Sequence, residues 1–127
     1  MEATKKKNTR IQTGKWGEEI ALEFLRNQGY DLVERNYRSP DGEIDLIVRK
    51  GPDLVFVEVK TRRSLDYGCP EEAVDNEKID HIEAAAGWYL QQHPESEESW
   101  HLDVISVVGS PGETPPEISW FENVTAT

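Results

Sequence analysis

The amino-acid sequence predicts one α/β domain whose elements follow in the order αβββαβ, with a mixed central sheet flanked by helices. Two observations predict this class: apolar residues recur at helical spacing in two segments, and three β-type runs lie between those segments. The 127 residues suit one compact domain and are too few for two. We expect a basic N-terminal arm over residues 1–12, a folded domain over 13–121 and a C-terminal tail over 122–127.

The first predicted helix runs from about Thr13 to Gln28, where apolar residues recur at helical spacing. Gly29 follows as a residue that commonly ends helices. The next three segments have strand character and are expected to pair as an antiparallel meander: Tyr30 to Arg35, Glu43 to Arg49 and Leu54 to Lys60. Residues 50–53 contain glycine and proline, and they predict a tight turn between the last two strands.

The second predicted helix runs from Pro70 to Leu90. Proline suits a first helical turn, and the acidic residues that follow it suit the positive end of the helix dipole. Beyond this helix, Trp100 to Val108 predicts a strand and Glu117 to Phe121 a short edge strand. The acidic segment 95–98 and the proline- and glycine-bearing segment 110–116 are expected to be loops.

The composition excludes several classes of protein. With 36% hydrophobic residues, the chain is apolar enough to bury a core and does not have the composition of a disordered protein. Its single cysteine, Cys69, excludes an intrachain disulfide and a zinc site built on paired thiolates. No signal peptide or membrane span is expected, since the basic N-terminus leads into no apolar run. We therefore expect a cytoplasmic protein with no membrane partner.

The net charge of −11 argues against a phosphate-rich partner, but the charges are unevenly distributed. Residues 1–63 hold 13 basic and 11 acidic side chains, whereas residues 64–127 hold 1 basic and 14 acidic side chains. A polyanion is therefore expected to approach the first half of the chain. The alternative is that these charges form an ordinary solvated surface.

Two charged residues fall on the apolar sides of the predicted helices. At about 100° per residue, Glu18 lies on the same stripe as Leu25. Lys78 lies on the stripe that holds Ile82 in the second helix. Both placements require an explanation, because a charge at the edge of a core is costly without a partner. The alternative is that the aliphatic part of each side chain packs against the core while its charged end reaches water.

Acidic residues and a lysine fall near the ends of two adjacent predicted strands. A period of two puts Glu43 and Asp45 on one face of the second strand, and Glu58 and Lys60 on one face of the third. The opposite face of the second strand is then apolar, with Ile44, Leu46 and Val48. If the strands pair, Asp45 and Glu58 converge closely enough to share Mg²⁺ or Mn²⁺, which prefer oxygen ligands. The alternative is a cross-strand ion pair that involves Lys60.

Four short motifs occur in order along the chain and resemble those of one family. They are Gly17-Glu18 in the opening helix, Gly42-Glu43-Ile44-Asp45-Leu46-Ile47, Val57-Glu58-Val59-Lys60-Thr61-Arg62, and Gly68 with Glu72-Ala73-Val74 and Lys78. Together they resemble the small bacterial YraN-like family, which belongs with the PD-(D/E)XK nuclease superfamily and is similar to archaeal-type Holliday junction resolvases. The resemblance runs from about Gly14 to Ile105 and implies a restriction-endonuclease-like fold.

The resemblance also implies roles for individual residues. Asp45 and Glu58 correspond to metal ligands, Lys60 to the catalytic lysine, and Glu18 to the helix-borne acid that completes the site. Glu43 is a candidate auxiliary ligand. Lys60, flanked by carboxylates, is expected to stay protonated and to position water or stabilise charge. Phosphates of a nucleic acid are expected to contact Lys15, Arg62, Arg63 and Lys78.

Other polar residues are expected to have structural roles or none. Asp41 follows a proline and precedes a glycine, so it is interpreted as a turn residue and not as a catalytic one. Asp103 matches a later strand of the family, but we expect it to be a solvent-facing structural residue. Three histidines lack convincing ligand spacing and are assigned no role: His81, His93 and His101.

These expectations describe a Mg²⁺- or Mn²⁺-dependent DNA endonuclease that acts on branched or structured DNA in repair or recombination. The resemblance to resolvases of this type implies a homodimer as one possible arrangement. An alternative is a non-catalytic module that keeps a nuclease-like fold and binds nucleic acid or a repair protein. A third interpretation is that the acidic residues hold a structural cation such as Ca²⁺.

Overall fold

A computed structural model describes residues 2–65, 68–96, 99–112 and 115–124, and for residues 2–11 and 96 it describes the backbone alone. The helices and strands are α1 (Glu2–Asn27), β1 (Asp31–Ser39), β2 (Gly42–Lys50), β3 (Asp53–Arg62), α2 (Asn76–Gln92), β4 (Trp100–Val108) and β5 (Glu117–Phe121). Short 3₁₀ turns, Pro70–Ala73 and Pro94–Ser96, precede and follow α2. Parts of the predicted loops and tail, namely 97–98, 113–114 and 125–127, lie outside the described residues.

The five strands form one mixed sheet in the order β1-β2-β3-β4-β5. β1, β2 and β3 pair antiparallel as the predicted meander, since short turns join them. β3 and β4 are parallel because the chain crosses between them through α2. β5 pairs antiparallel with β4 at the edge of the sheet. The predicted α/β class, the mixed sheet and the edge strand are therefore confirmed.

The two helices pack on opposite faces of the sheet, each over its own apolar cluster. Tyr89 of α2 belongs to the cluster that contains Phe56. Leu25 of α1 belongs to the cluster that contains Val55 and Val57. β3 thus alternates between the two clusters as predicted, because successive side chains of a strand point to opposite faces. The sheet is a central layer between two helical layers.

Both helices begin at residues that differ from the predicted ones. α1 begins at Glu2 and not at about Thr13. Apolar periodicity marks only the packed part of a helix, whereas the long charged side chains before it also favour helix. α2 begins at Asn76 and not at Pro70, because Asp75 is extended and its side chain accepts hydrogen bonds from two N–H groups of the first turn. None of the helices in the described part of the chain has the length and hydropathy needed to cross a bilayer.

Two glycines let both helices approach the same end of the sheet. A Cβ at Gly17 of α1 would overlap the Thr61 hydroxyl of β3. A Cβ at Gly42, where β2 begins, would lie 2.6 Å from the His81 carbonyl oxygen of α2. Only a residue without a side chain allows contacts this close. The glycines therefore bring α1 and α2 to the end of the sheet where β1 turns into β2 and β3 ends.

The strict alternation predicted for β2 is wrong at Asp45. Ile44 packs in the cluster beneath α2, whereas Leu46 packs in the cluster beneath α1. Residues two apart in a regular strand would share a face. β1 changes faces as well, because Arg35 forms an ion pair with Glu19 of α1 while Tyr37 packs beneath α2. The side chains of β1 therefore change faces between Arg35 and Tyr37, and those of β2 between Ile44 and Leu46.

Candidate active site

The carboxylates of Asp45 and Glu58 lie together where the pairing of β2 with β3 ends. The last paired residues of that ladder are Leu46 and Val57, so Asp45 and Glu58 are the next residues on the two strands. The backbone N–H of Val59 donates to Asp45 Oδ2 at 2.8 Å. The Glu58 carboxyl group also forms a hydrogen bond with Asp45. The predicted convergence of these two acids is therefore present in the structure.

The Glu58 side chain is deeply placed, with 13% of its surface exposed. Burial, followed by the hydrogen bond and charge of Asp45, raises the pKa of Glu58 to about 8. Lys78 Nζ of α2 lies 3.5 Å from Glu58 Oε2 and opposes this rise in pKa. Burial and Asp45 therefore outweigh the lysine and favour the protonated form of Glu58. A carboxyl group whose charge is disfavoured by a neighbouring carboxylate marks a place where a cation would be bound favourably.

Glu18 brings a third carboxylate to this end of the sheet from α1. Burial and the negative charge of Asp45 raise the pKa of Glu18, and Glu43 adds to the rise. Arg35 and a hydrogen bond from the side chain of Asn36 act in the opposite direction. Glu18 therefore lies in the same electrostatic field as the Asp45–Glu58 pair, as expected for an acid on the apolar side of the helix.

A cavity of about 680 Å³ opens beside the two strand ends. One wall is the β1–β2 turn, the opposite wall is the first half of α2, and the floor carries the Asp45–Glu58 pair. This volume is within the usual range of ligand sites and is much larger than one ion requires. The lining residues are Arg38, Ser39, Pro40, Asp41, Gly42, Glu43, Asp45, Glu58, Lys78, His81 and Ile82.

The model of "Uncharacterised protein family UPF0102" matches residues 17–107, a range that includes every strand and helix forming this cavity. The chain belongs to the UPF0102 family. A UPF0102 protein of Syntrophomonas wolfei is 44% identical over 103 residues, which span 81% of this chain and 90% of that relative. One from Paenarthrobacter aurescens is 42% identical over 111 residues, which span 87% of this chain and 91% of that relative.

Membership of UPF0102 confirms the predicted YraN-like family, a PD-(D/E)XK nuclease-like family. Among solved structures, the chain is similar to "The structure of Pyrococcus Furiosus SfsA in complex with Ca2+", with 16% identity and a TM-score of 0.38. The match covers 90% of this chain and 63% of that chain. A likeness of this degree bears neither on the activity of the UPF0102 protein nor on its ligands.

The two lysines near the carboxylate pair are placed differently from each other. Lys60, the predicted catalytic lysine, is exposed at the end of β3, two residues after Glu58, and is not one of the residues that line the cavity. Lys78 lines the cavity and contacts Glu58. Its side chain is 60% exposed, so its ammonium group also reaches solvent. In this UPF0102 protein, the lysine nearest the acids therefore comes from α2.

The four residues predicted to contact nucleic acid differ in their exposure and contacts. Lys15 and Arg63 are exposed, and Lys78 is turned towards Glu58. Arg62 is half-buried, and its side chain forms hydrogen bonds within the fold. Its Nη2 donates to the Cys69 carbonyl at 3.3 Å and to the Ser106 hydroxyl at 3.4 Å. Arg62 therefore holds the chain that leads into α2.

The β1–β2 turn has the structure predicted for it. The Asp41 N–H donates to the Ser39 hydroxyl at 3.2 Å, as expected for a side chain that organises a turn. Asp41 Oδ2 accepts a hydrogen bond from Trp88 Nε1 at 2.8 Å, which attaches the turn to α2. Glu43 Oε2 lies 3.6 Å from Arg38 Nε, and Glu43 lines the cavity.

The prediction that Asp103 faces solvent is wrong. Asp103 is completely buried on β4. Its oxygens accept hydrogen bonds from Trp120 Nε1 at 2.8 Å and from the backbone N–H of Asn123 at 2.9 Å, and His101 Nε2 lies 3.4 Å away. These donors come from β5 and the residues after it, so strand periodicity could not indicate them. Asp103 fastens the C-terminal segment to the sheet.

Two residues of the site were missed by sequence reasoning. His81 lines the cavity one helical turn after Lys78. That i, i+3 spacing was the available signal, because residues three apart lie on one face of a helix. Asn36 contacts Glu18 from β1, and nothing in the local sequence distinguishes it from an ordinary strand residue. Only the paired strand and the helix above it reveal its position.

The donor set fits a hard divalent cation better than any other metal. Asp45, Glu58 and Glu43 offer carboxylate oxygens, the ligand type that Mg²⁺ and Mn²⁺ prefer. Among the described residues, no three His, Cys, Asp or Glu side chains converge closely enough to hold a metal by themselves.

Proposed function

We propose that this UPF0102 protein is a Mg²⁺- or Mn²⁺-dependent DNA endonuclease that hydrolyses phosphodiester bonds in branched or structured DNA. The observation that carries the proposal is the half-buried Asp45–Glu58 pair at the floor of an open cavity, with Lys78 against it. Two carboxylates held together are costly unless a cation accompanies them. The nuclease-like character of the family supports the same function.

Asp45 and Glu58 would hold the divalent ion, with Glu43 as an auxiliary ligand. When bound, the ion would lower the pKa of a water molecule and neutralise charge on the phosphate. The Val59 N–H fixes the orientation of Asp45, so this ligand requires little reorganisation. Glu18 adds negative charge from α1, which favours cation binding and disfavours binding of phosphate alone.

The two lysines would act on the phosphate and the attacking water. Lys78 already lies in the cavity, where its positive charge would face the non-bridging oxygens that become more negative during hydrolysis. Lys60 lies at the rim, on the strand that carries Glu58, and is proposed to orient water or stabilise charge when DNA covers the strand end. A protonated lysine serves both purposes without acting as a base.

The DNA backbone would be held by exposed basic groups. Lys15 and Arg63 are exposed, and the first half of the chain carries nearly all the positive charge. Contacts of this type attach a backbone without reading its sequence, and they weaken as salt increases. A homodimer would present two such cavities to the arms of a branched substrate. Light scattering of the purified protein, alone and with a four-way junction, measures this arrangement.

Cleavage of labelled four-way junctions, flaps and linear duplexes tests the activity. We expect cutting of branched DNA with Mg²⁺ or Mn²⁺, none with EDTA, and a loss of about a thousandfold in Glu58→Gln. Glu58→Ala and Lys60→Ala are expected to be inactive as well. Glu23→Gln changes an exposed glutamate on α1 and is the matched control. Cutting that persists in EDTA or in Glu58→Gln would contradict the proposal.

A second candidate is a non-catalytic module that binds nucleic acid or a repair protein. One observation favours it: Lys60 lies outside the cavity lining. In this case the protein binds branched DNA or a repair protein with unchanged affinity in Glu58→Gln, and no metal ion produces cleavage. The same set of substrates and variants therefore distinguishes the two functions.

A further inference from the structure

Asn36 adopts a backbone conformation that is unusual inside a strand. Its φ is 50°, in the left-handed region, although it lies within β1. Extended strands have φ of about −120° to −140°. Asn tolerates the left-handed region better than other residues with a side chain, yet it still does so at a cost in free energy. Such a conformation persists only where the surrounding structure enforces it.

Asn36 lies directly across from Asp45. The register pairs Arg35 with Leu46 and Tyr37 with Ile44, which leaves Asn36 and Asp45 opposite each other. This is the step at which both strands change the face they present. Asp45 therefore belongs to neither apolar face. Its carboxylate instead lies along the sheet, where it accepts the backbone N–H of Val59 on the neighbouring strand.

The side chain of Asn36 has a second contact in the site. It forms a hydrogen bond with Glu18 of α1, which lies in the field of Asp45. Glycine would adopt the left-handed backbone at lower cost, but it would offer no hydrogen bond. An amide side chain is a neutral donor, so it orients a carboxylate without neutralising its charge. Asn36 therefore supplies both a left-handed backbone and a neutral hydrogen-bond donor at one position.

We propose that Asn36 is a positioning residue of the acidic site: its left-handed backbone directs Asp45 towards Val59 and Glu58, and its amide holds Glu18 beside them. The consequence for catalysis rests on the proposed nuclease function. The positioning itself does not, because it is a property of the protein without metal or DNA. The residue acts through Asp45 and Glu18 and contacts no reacting atom.

The backbone part is tested by amide hydrogen exchange of Val59 in the metal-free protein. Asn36→Ala disfavours the left-handed backbone, so we expect Val59 to exchange about tenfold faster relative to Val104 in the centre of β4. Asn36→Gly permits that backbone and should stay within about threefold of wild type. Asn123→Ala, at the other described asparagine with positive φ, is the matched control. Equal exchange in the alanine and glycine variants would overturn the backbone role.

The amide part is tested by the carboxyl ¹³C resonance of Glu18. Asn36→Gly and Asn36→Asp both permit the backbone but remove the donor, so both should shift this resonance while Asn36→Gln restores part of the wild-type position. An unchanged resonance in Asn36→Gly would overturn the amide role.

Kinetics on branched DNA then address catalysis. We expect Asn36→Ala to lower kcat about a hundredfold with KM nearly unchanged, since a small displacement of catalytic groups has this effect. Unchanged kcat would contradict a catalytic consequence. If wild type cuts no DNA, the nuclease proposal fails, whereas the Val59 and Glu18 measurements still decide the role of Asn36.

Discussion

The molecule buries carboxylates in two regions, and their surroundings differ. Asp103 lies on β4 with two hydrogen bonds from neutral donors and a histidine nearby. Asp45 and Glu58 lie half-buried on β2 and β3, where they form a hydrogen bond with each other besides the contacts of Asp45 with the Val59 N–H and of Glu58 with Lys78. The oxygens of Asp103 are matched by donors, as in a structural residue, whereas Asp45 and Glu58 also face each other's negative charge. The partners of a buried acid, and not its burial, therefore indicate where binding or chemistry takes place.

The largest expected effect on stability comes from substitution of Asp103. Asp103→Leu leaves the buried N–H groups of Trp120 and Asn123 without their acceptor, so we expect the free energy of unfolding to fall by about 3 kcal/mol. Asp103→Asn keeps one acceptor oxygen and should lose about half as much. Urea denaturation at neutral pH measures both. Stability equal to wild type in Asp103→Leu would remove the distinction between the two regions.

The pH dependence of the unfolding free energy tests the Asp45–Glu58 pair. Since the pKa of Glu58 is raised from 4.5 to about 8, the folded protein binds this proton more tightly than the unfolded chain does. That stabilisation is fully present below about pH 4.5 and is lost as the pH rises through about 8. We expect the metal-free protein to lose about 2 kcal/mol between about pH 6 and pH 9. Urea denaturation over this range measures the loss.

Glu58→Gln is the control for that measurement, because an amide can donate to Asp45 as the protonated acid does. Its stability should change much less over the same pH range. A decline as steep as that of wild type would mean that another group is responsible.

Divalent ions should stabilise one region and leave the other unaffected. Free Mn²⁺ at about 100 times its Kd is expected to add about 2.7 kcal/mol to the unfolding free energy of wild type at pH 8. Asp103→Asn should gain the same increment, and Glu58→Gln much less. Thermal unfolding with a Mn²⁺ titration measures this. A gain with Ca²⁺ and no cleavage with any ion would favour a structural cation.

The order of the elements and the packing of helices on the sheet were predictable because they depend on local periodicity and short connections. Glu18 and Lys78 were also predictable as unusual, since a charge on an apolar stripe is visible in the sequence. The change of face at Asn36 and Asp45 was not, because it coincides with a left-handed backbone at Asn36 that no local pattern indicates. The burial of Asp103 depends on donors 17 and 20 residues further along the chain. Contacts between residues this far apart in the sequence cannot be predicted from local periodicity.

The smallest expected effect concerns which lysine serves the carboxylate pair. Lys78 Nζ lies 3.5 Å from Glu58 Oε2, whereas Lys60 is exposed and outside the cavity lining. Lys78→Ala removes a charge that lowers the pKa of Glu58, so we expect this pKa to rise by about 0.5, as is usual for a partly solvated ion pair. Lys60→Ala should leave it unchanged. A carboxyl ¹³C titration of Glu58 in both variants measures the difference.

The two variants also separate electrostatics from catalysis. If Lys60→Ala abolishes cleavage without changing the titration of Glu58, then Lys60 acts on the substrate and Lys78 on the carboxylates. If Lys78→Ala alone abolishes cleavage, then the helix supplies the lysine that the motif places on the strand. Identical titrations in both variants would mean that neither lysine contributes to the charge balance of the pair, and the contact of Lys78 with Glu58 would then be energetically neutral, as many exposed ion pairs are.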